Sequence, residues 1–328
     1  MANPAIADAT PQPPGLSVLT YNVEGLPWPV RSGRAQQARK IAASLRDLRA
    51  SGTQPHVIVL QEAFTPFAKA IATEAGYRYI ADGPASSDPG APPITAEDRK
   101  FAREASAFKG ETLGKWADSG LRIASDYPIL AVRRMPFPSY ACAGTDCLAN
   151  KGMVAVTVAM PGLPQPIVIV ATHLNACKAS GVSFARSLYA YRRQIDALGQ
   201  FIRANVSPST PMVLAGDFNV GKRIERRAYL LQSVAAWRPR TGVWAALDNC
   251  LAVQACAKTN SADLGYSYRR GKDWQFYSPG TASGLRVAAL AAVFGHDSAG
   301  SMLSDHVGYS ASYTISASMP SPTRLATR

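Results

Sequence analysis

No apolar run in this 328-residue chain is long enough to span a bilayer. Its most hydrophobic stretches, residues 153–171 and 287–294, are interrupted by proline or too short. The Pro- and Ala-rich start has neither a basic n-region nor an apolar h-region, so an intact signal peptide is not expected. A mature form that had already lost its leader would read the same way. The Gly-x-Ser-x-Gly elbow of serine hydrolases is missing, as is the Gly-x-x-x-x-Gly-Lys-Ser/Thr phosphate loop. Both absences weigh against serine chemistry and nucleotide-driven machines. The five cysteines form no Cys-x-x-Cys spacing, which argues against structural zinc. Acid is scarce too: 22 Asp and Glu face 35 Lys and Arg, a net charge of +13. Such a surplus favours an anionic partner, whether nucleic acid, an acidic membrane surface or a phosphorylated substrate. Its plainer reading is solubility.

Cys142 and Cys147 lie close in sequence, as do Cys250 and Cys256, while Cys177 stands between the pairs. Two local disulfides in an oxidising compartment would explain this, and buried free thiols are the alternative. A secreted or periplasmic protein is therefore expected. Residues 1–15 and 316–328 are expected to be disordered, flanking a single catalytic domain over 16–315.

Within that domain, strand-like apolar runs alternate with helical periodicity. Residues 16–21, 57–60, 121–124, 154–158, 167–171 and 212–215 read as strands, with weaker signals at 272–277, 285–294 and 306–315. Phe184, Leu188, Tyr191, Ile195, Leu198 and Ile202 step by three and four, which predicts an amphipathic helix, and Ala38 to Leu48 does the same. Residues 82–118, rich in Pro, Gly and Ser, look like a long insertion or lid. Residues 220–271 hold a basic helix and an irregular loop. Strands with helices between them predict an α/β sandwich of two packed sheets flanked by helices.

Five polar islands sit at the tips of these strands: Thr20-Tyr21-Asn22, Gln61-Glu62, Thr172-His173-Leu174-Asn175, Gly216-Asp217-Phe218-Asn219 and Ser304-Asp305-His306. Strand ends are rigid supports of the kind a catalytic site needs. Glu62, pinned after Val-Ile-Val-Leu, suits a hard cation that takes one or two carboxylates and keeps other positions for water and phosphate. An exposed strand-end glutamate is its bland alternative. Asp217 and Asn219, two apart, place an acid and an amide on one face of extended chain, though Asx hydrogen bonding in a turn would use the same residues. His173 and His306 offer the base and the acid or cation that phosphodiester hydrolysis requires, with Asp305 placed to orient His306. His56 and His296 read as satisfied core residues.

In this order the islands resemble the endonuclease/exonuclease/phosphatase superfamily, whose members share the deoxyribonuclease I-like four-layer α/β/β/α sandwich. The likeness covers residues 16–313 through Thr-Tyr-Asn-Val, Leu-Gln-Glu, Thr-His-Leu, Gly-Asp-Phe-Asn-Val and Ser-Asp-His. It implies a Mg²⁺-dependent phosphodiesterase, with Mn²⁺ or another divalent ion as substitute. Glu62 and Asn22 would serve the metal, and Asp305 would join its network. His306 would be the base oriented by Asp273, and His173 the acid or phosphate stabiliser. Asp217 and Asn219 would hold the water and a phosphoryl oxygen. Asp273 is followed by Trp274 where the family usually has Tyr.

A narrower likeness, carried by Ser119 to Ile129, Asp146-Cys-Leu-Ala-Asn-Lys-Gly152 and Thr172 to Ala176, is to the neutral sphingomyelinase branch. It puts Lys151 and Asn175 near the substrate phosphate, although Gln or His is common at the latter position. It also implies a bridge from the Cys142/Cys147 region to Cys177. The implied substrate is sphingomyelin, cut to ceramide and phosphocholine at a membrane surface by a monomer without protein partners. Trp274, Phe276, Tyr277 and Phe294 are the candidates for lipid contact, with burial in the core as their alternative. Nucleic acid is the rival substrate, favoured by the basic runs at 222–227 and 269–272. A phosphoinositide phosphatase would use the same surface. A non-catalytic relative would lack catalytic residues, and none is missing.

Overall fold

The computed structural model describes residues 15–316 apart from 164, 253–255 and 282. The expected disordered ends lie outside the described residues, except that Gly15 opens the first strand and Ser316 closes the last. Strands cover two sheets. One runs in the order β10 (Ala257–Thr259), β12 (Gly284–Phe294), β13 (Gly308–Ser316), β1 (Gly15–Asn22), β2 (Val57–Gln61), β4 (Arg122–Ser125), β3 (Tyr79–Asp82). The other runs β5 (Ile129–Pro136), β6 (Gly152–Val158), β7 (Ile167–His173), β8 (Met212–Asp217), β11 (Asp273–Ser278), β9 (Trp244–Ala245).

The central strands read as unbroken apolar runs because each is covered on both faces. In β2, Val57 and Val59 enter the core between the sheets, while Ile58 and Leu60 face outward under helices. In β7, Ile167, Ile169 and Ala171 point between the sheets and Val168 and Val170 point away. The outer face of the first sheet is covered by α1 (Arg34–Ala50) through Ile41 and Leu45, and by α2 (Pro66–Glu74) through Ile71. The second sheet is covered by α4 (Phe184–Asn205), with Tyr191, Ile195 and Leu198, and by α5 (Ile224–Trp237), with Leu230 and Val234. The layers are helix, sheet, sheet, helix, the sandwich that the sequence predicts. Each of these buried aliphatic side chains contributes roughly 1.5–3 kcal/mol by leaving water.

Local chemistry sets where the helices begin. Thr65 accepts from Ala68 N with Pro66 at the first position of α2, and Ser183 accepts from Arg186 N at the start of α4. Within the expected lid, a Thr95/Asp98 capping box starts α3 (Ala96–Arg103), so part of that stretch is ordered helix. The 220–271 region carries α5, α6 (Ala246–Ala252) and α7 (Ser261–Arg270). Strand β5 went unread because it is an edge strand whose Arg133 and Arg134 are exposed, which erases the apolar alternation.

Of the two readings of Trp274, Phe276, Tyr277 and Phe294, burial in the core is the one observed. Two further expectations are corrected. His296 is exposed and pairs with Asp263 at 2.5 Å, whereas His56 is half-buried, with Nδ1 held by Ser17 and its ring stacked on Tyr127. The disulfides are the local ones, Cys142–Cys147 and Cys250–Cys256, and Cys177 is free, so the bridge to Cys177 that the family likeness implied does not form.

Candidate active site

Strand register brings the islands together at one end of the sandwich. β1 and β2 run parallel with Asn22 opposite Gln61, and β7 and β8 run parallel with His173 opposite Asp217. β11 is antiparallel to β8, so its first residue, Asp273, lies opposite the last residue of β8, Asp217. β13 is antiparallel to β1, and the loop before it delivers His306 to the same end. The approach of β8 to β7 is tight. A Cβ on Gly216 would come within 2.0 Å of the Thr172 carbonyl oxygen, so only glycine fits beside Asp217. Glu62 and Asn219 both adopt left-handed backbone conformations, a form of strain that clusters at functional sites.

Asp217 is the hub. Its Oδ2 lies 3.6 Å from His173 Nε2 and 3.7 Å from His306 Nε2, and it accepts from Asn22 Nδ2 at 3.2 Å. Its Oδ1 accepts from Asn219 N at 2.8 Å. Asn22 Nδ2 also donates to Glu62 at 2.9 Å, while Asn22 Oδ1 takes the Glu24 N–H. Asn22 thus presents a donor to the two acids. Its oxygen is engaged by the Glu24 N–H, and in this arrangement Asn22 orients the two carboxylates.

The two histidines have different company. His306 Nδ1 lies 2.8 and 2.9 Å from the two carboxylate oxygens of Asp273, and Ser304 Oγ accepts the His306 N–H while donating to the Asn22 carbonyl. Burial presses the His306 pKa down, but Asp273 and Asp217 outweigh it and hold the imidazole up at about 9. At His173, the Lys151 ammonium lies 3.1 Å from Nε2 and pairs with Asp146 at 3.0 Å. Burial, then the Lys151, His306 and Lys272 charges, push the His173 pKa well below its usual value, so this ring is neutral. Its buried Nδ1 has no hydrogen-bond partner among the described residues.

Asn175 stands apart. Its Oδ1 accepts from Ala143 N and its Nδ2 donates to the Ala176 carbonyl, so it braces a loop and does not line the cavity. Asp305, half-exposed, lies 3.7 Å from His306 Nε2 and near Arg270 and Lys272. Two residues here were not assigned from sequence. Lys272 Nζ lies 3.3 Å from His306 Nε2, and only its position directly before Asp273 could have flagged it. Arg226 is completely buried and donates to the carbonyls of Asn175, Asn219 and Ser187, tying the loops after β7 and β8 to α4. Within a basic helix run it resembled a solvated charge.

A cavity of about 950 Å³ opens over the site. Its floor is Glu62, Asp217, His173, His306, Lys151 and Lys272, and its wall includes Leu26, Pro27, Val30, Phe64, Trp116 and Leu148. The donor chemistry fits a divalent cation. Asp217, Asp273 and His306 form a buried cluster compatible with one, though Asp273 is already engaged by His306 Nδ1. Burial also raises the carboxyls of Glu62 and Asp217 above the usual range, because too little positive charge faces them.

A two-sheet sandwich with this acid and histidine cluster is a metal-dependent hydrolase of the phosphodiesterase class. A sequence model of the endonuclease/exonuclease/phosphatase family matches residues 19–306, and the chain belongs to that family. It is 25% identical over 276 residues to sphingomyelinase C of Leptospira interrogans, which covers 81% of this chain but only 46% of that protein. Sphingomyelinase C from Streptomyces griseocarneus shares the fold at a TM-score of 0.62 and 22% identity, covering 91% of this chain and 99% of the other. A magnesium-bound mutant of beta toxin from Staphylococcus aureus superposes at 0.60 with 18% identity, covering 90% and 98%.

Proposed function

We propose that this chain is a Mg²⁺-dependent sphingomyelinase, cutting the phosphodiester of sphingomyelin to ceramide and phosphocholine. The observation that carries the substrate reading is the apolar border of the cavity. Trp28 is 81% exposed and Trp116 70% exposed, and Val30 and Phe67 are exposed too, all on segments that line the cavity. Bare apolar and aromatic residues bordering a charged floor suit a substrate whose phosphate enters while its acyl chains stay in a lipid surface. The likeness to the sphingomyelinases of Leptospira and Streptomyces supports the same reading. The two disulfides accord with a secreted or periplasmic enzyme.

Glu62, with Asp217 and Asp305 nearby, would hold the cation, and Asn22 would fix the carboxylates. When bound, that ion polarises a phosphoryl oxygen and stabilises the leaving alkoxide. Asp273 grips Nδ1 of His306 and so aims Nε2 into the cavity, where the ring in its deprotonated form takes the proton of the attacking water. Asp217 orients that water from between the two imidazoles. Lys151 and neutral His173 face the phosphate from the β7 side, and Asn219 steadies the loop by donating to the Leu174 carbonyl.

The test assays the protein with Mg²⁺ in parallel on sphingomyelin vesicles, plasmid DNA and phosphoinositide vesicles, with His306→Ala and Glu62→Ala as controls. Turnover of sphingomyelin, lost with EDTA and in both variants, is the expected result. Cleavage of DNA alone would replace the substrate while keeping the chemistry, and it is the outcome that the +13 charge would favour. Activity surviving EDTA and both substitutions would overturn the mechanism.

A further inference from the structure

Each imidazole in the cavity has a lysine at its Nε2, and the two lysines are in unlike states. Lys151 is buried and neutralised one-to-one by Asp146 at 3.0 Å. Lys272 keeps 30% of its side chain exposed, and the carboxylate near it, Asp305 at 3.8 Å, is shared with Arg270 at 3.6 Å. Lys272 thus shares its nearest carboxylate with a second cation, and its ammonium stays at the cavity floor. The backbone beneath Lys272 is fixed, because its carbonyl accepts from Phe218 N at 2.8 Å and Asp273 follows in β11. Only the four-carbon stem is free to move.

We propose that Lys272 is a phosphate-binding residue of the cavity floor. Its ammonium lines the cavity 3.3 Å from Nε2 of His306. A charged oxygen of a phosphodiester would accept from it a charge-assisted bond, roughly twice as strong as one to a neutral acceptor. An ammonium with three rotatable donors on a flexible stem suits that contact. The inference rests on the phosphodiesterase reading and assigns a role that this reading leaves open.

Three measurements with Mg²⁺ present test it. Calorimetry with inorganic phosphate should show binding about tenfold weaker in Lys272→Gln, the size expected for losing one charged hydrogen bond, with Lys272→Arg recovering most of it. On a soluble chromogenic phosphodiester, Lys272→Gln should raise KM by a similar factor, with a smaller change in kcat. On the unsubstituted protein, phosphate should protect Lys272 from acetylation, read by mass spectrometry, which removes any dependence on the variant's folding. Phosphate binding unchanged in Lys272→Gln, together with labelling indifferent to phosphate, would overturn the proposal. If the protein cleaves no phosphodiester, the proposed function falls, while the phosphate and labelling results still decide the role of Lys272.

Discussion

His306 and His173 stand 3.7 and 3.6 Å from the same oxygen of Asp217, yet the fold makes them chemical opposites. His306, beside β11 and before β13, is backed by Asp273 and held up at about 9. His173, at the tip of β7, has no partner at Nδ1 among the described residues, faces Lys151 at Nε2 and is pushed well below its usual value. Two carboxylates hold one ring up, while burial and then the Lys151 ammonium push the other down, separating a strong base from a neutral ring. Pairs of titratable groups driven apart by their surroundings are how a single site divides labour.

The most direct way to break the contrast is to remove each ring. His306→Ala is expected to lower kcat/KM by about 10³ to 10⁴-fold, and His173→Ala by about 10²-fold, the usual span for a general base and for one stabilising contact. Equal losses, or the reverse order, would assign the roles the other way round. Asp273→Asn should sit between them at about 10²- to 10³-fold, because the ring keeps its place but loses its partner's charge. A steady-state comparison on one soluble substrate measures all three.

Arg226 probes what the two sides share. Arg226→Met leaves the Asn175, Asn219 and Ser187 carbonyls without their buried donor, and a loss of about 3 kcal/mol is expected in urea unfolding. Stability within about 0.5 kcal/mol of the original would show that the loops hold without it.

Acidity sharpens the contrast from both directions in metal-free protein. His306 is raised from 6.5 to about 9, so its contribution is fully present below pH 6.5 and is lost as pH climbs toward 9. His173 is lowered, so its contribution is present above pH 6.5 and is lost as pH falls below it. Thermal melts across pH 5 to 10 should show the alkaline decline shrink in Asp273→Asn, with the acid decline unchanged. A decline of equal slope in both proteins would count against His306 as its source.

The smallest effect belongs to the Cys142–Cys147 disulfide. It closes the turn that holds Asp146 against Lys151, so replacing both cysteines with serine should loosen only the His173 side. A loss of activity of about two- to fivefold is expected, in line with a supporting group one contact removed from the chemistry. A loss as large as that of His306→Ala would mean that the turn supports the whole cavity.

Much of this was legible in order along the chain. Val57 to Leu60 and Met212 to Ala215 declared themselves as strands buried on both faces, and each island at their tips supplied a cavity residue. Asn175 shows where that reasoning stops. It has the right type and place, but its amide is consumed by Ala143 and Ala176. Edge strand β5 escaped because exposed arginines leave no alternation to read.

By itself the sequence determined the layered fold and the set of polar strand tips, because burial on one or two faces imposes periodicities that residue order must obey. Only the tertiary structure decided which tip pairs with which. It set Asp273 behind His306, Lys151 before His173, Lys272 across Nε2, and Arg226 beneath the loops. Those choices depend on strand register and on partners scores of residues away, and hydrogen bonds and pKa shifts depend on distances that no local pattern encodes.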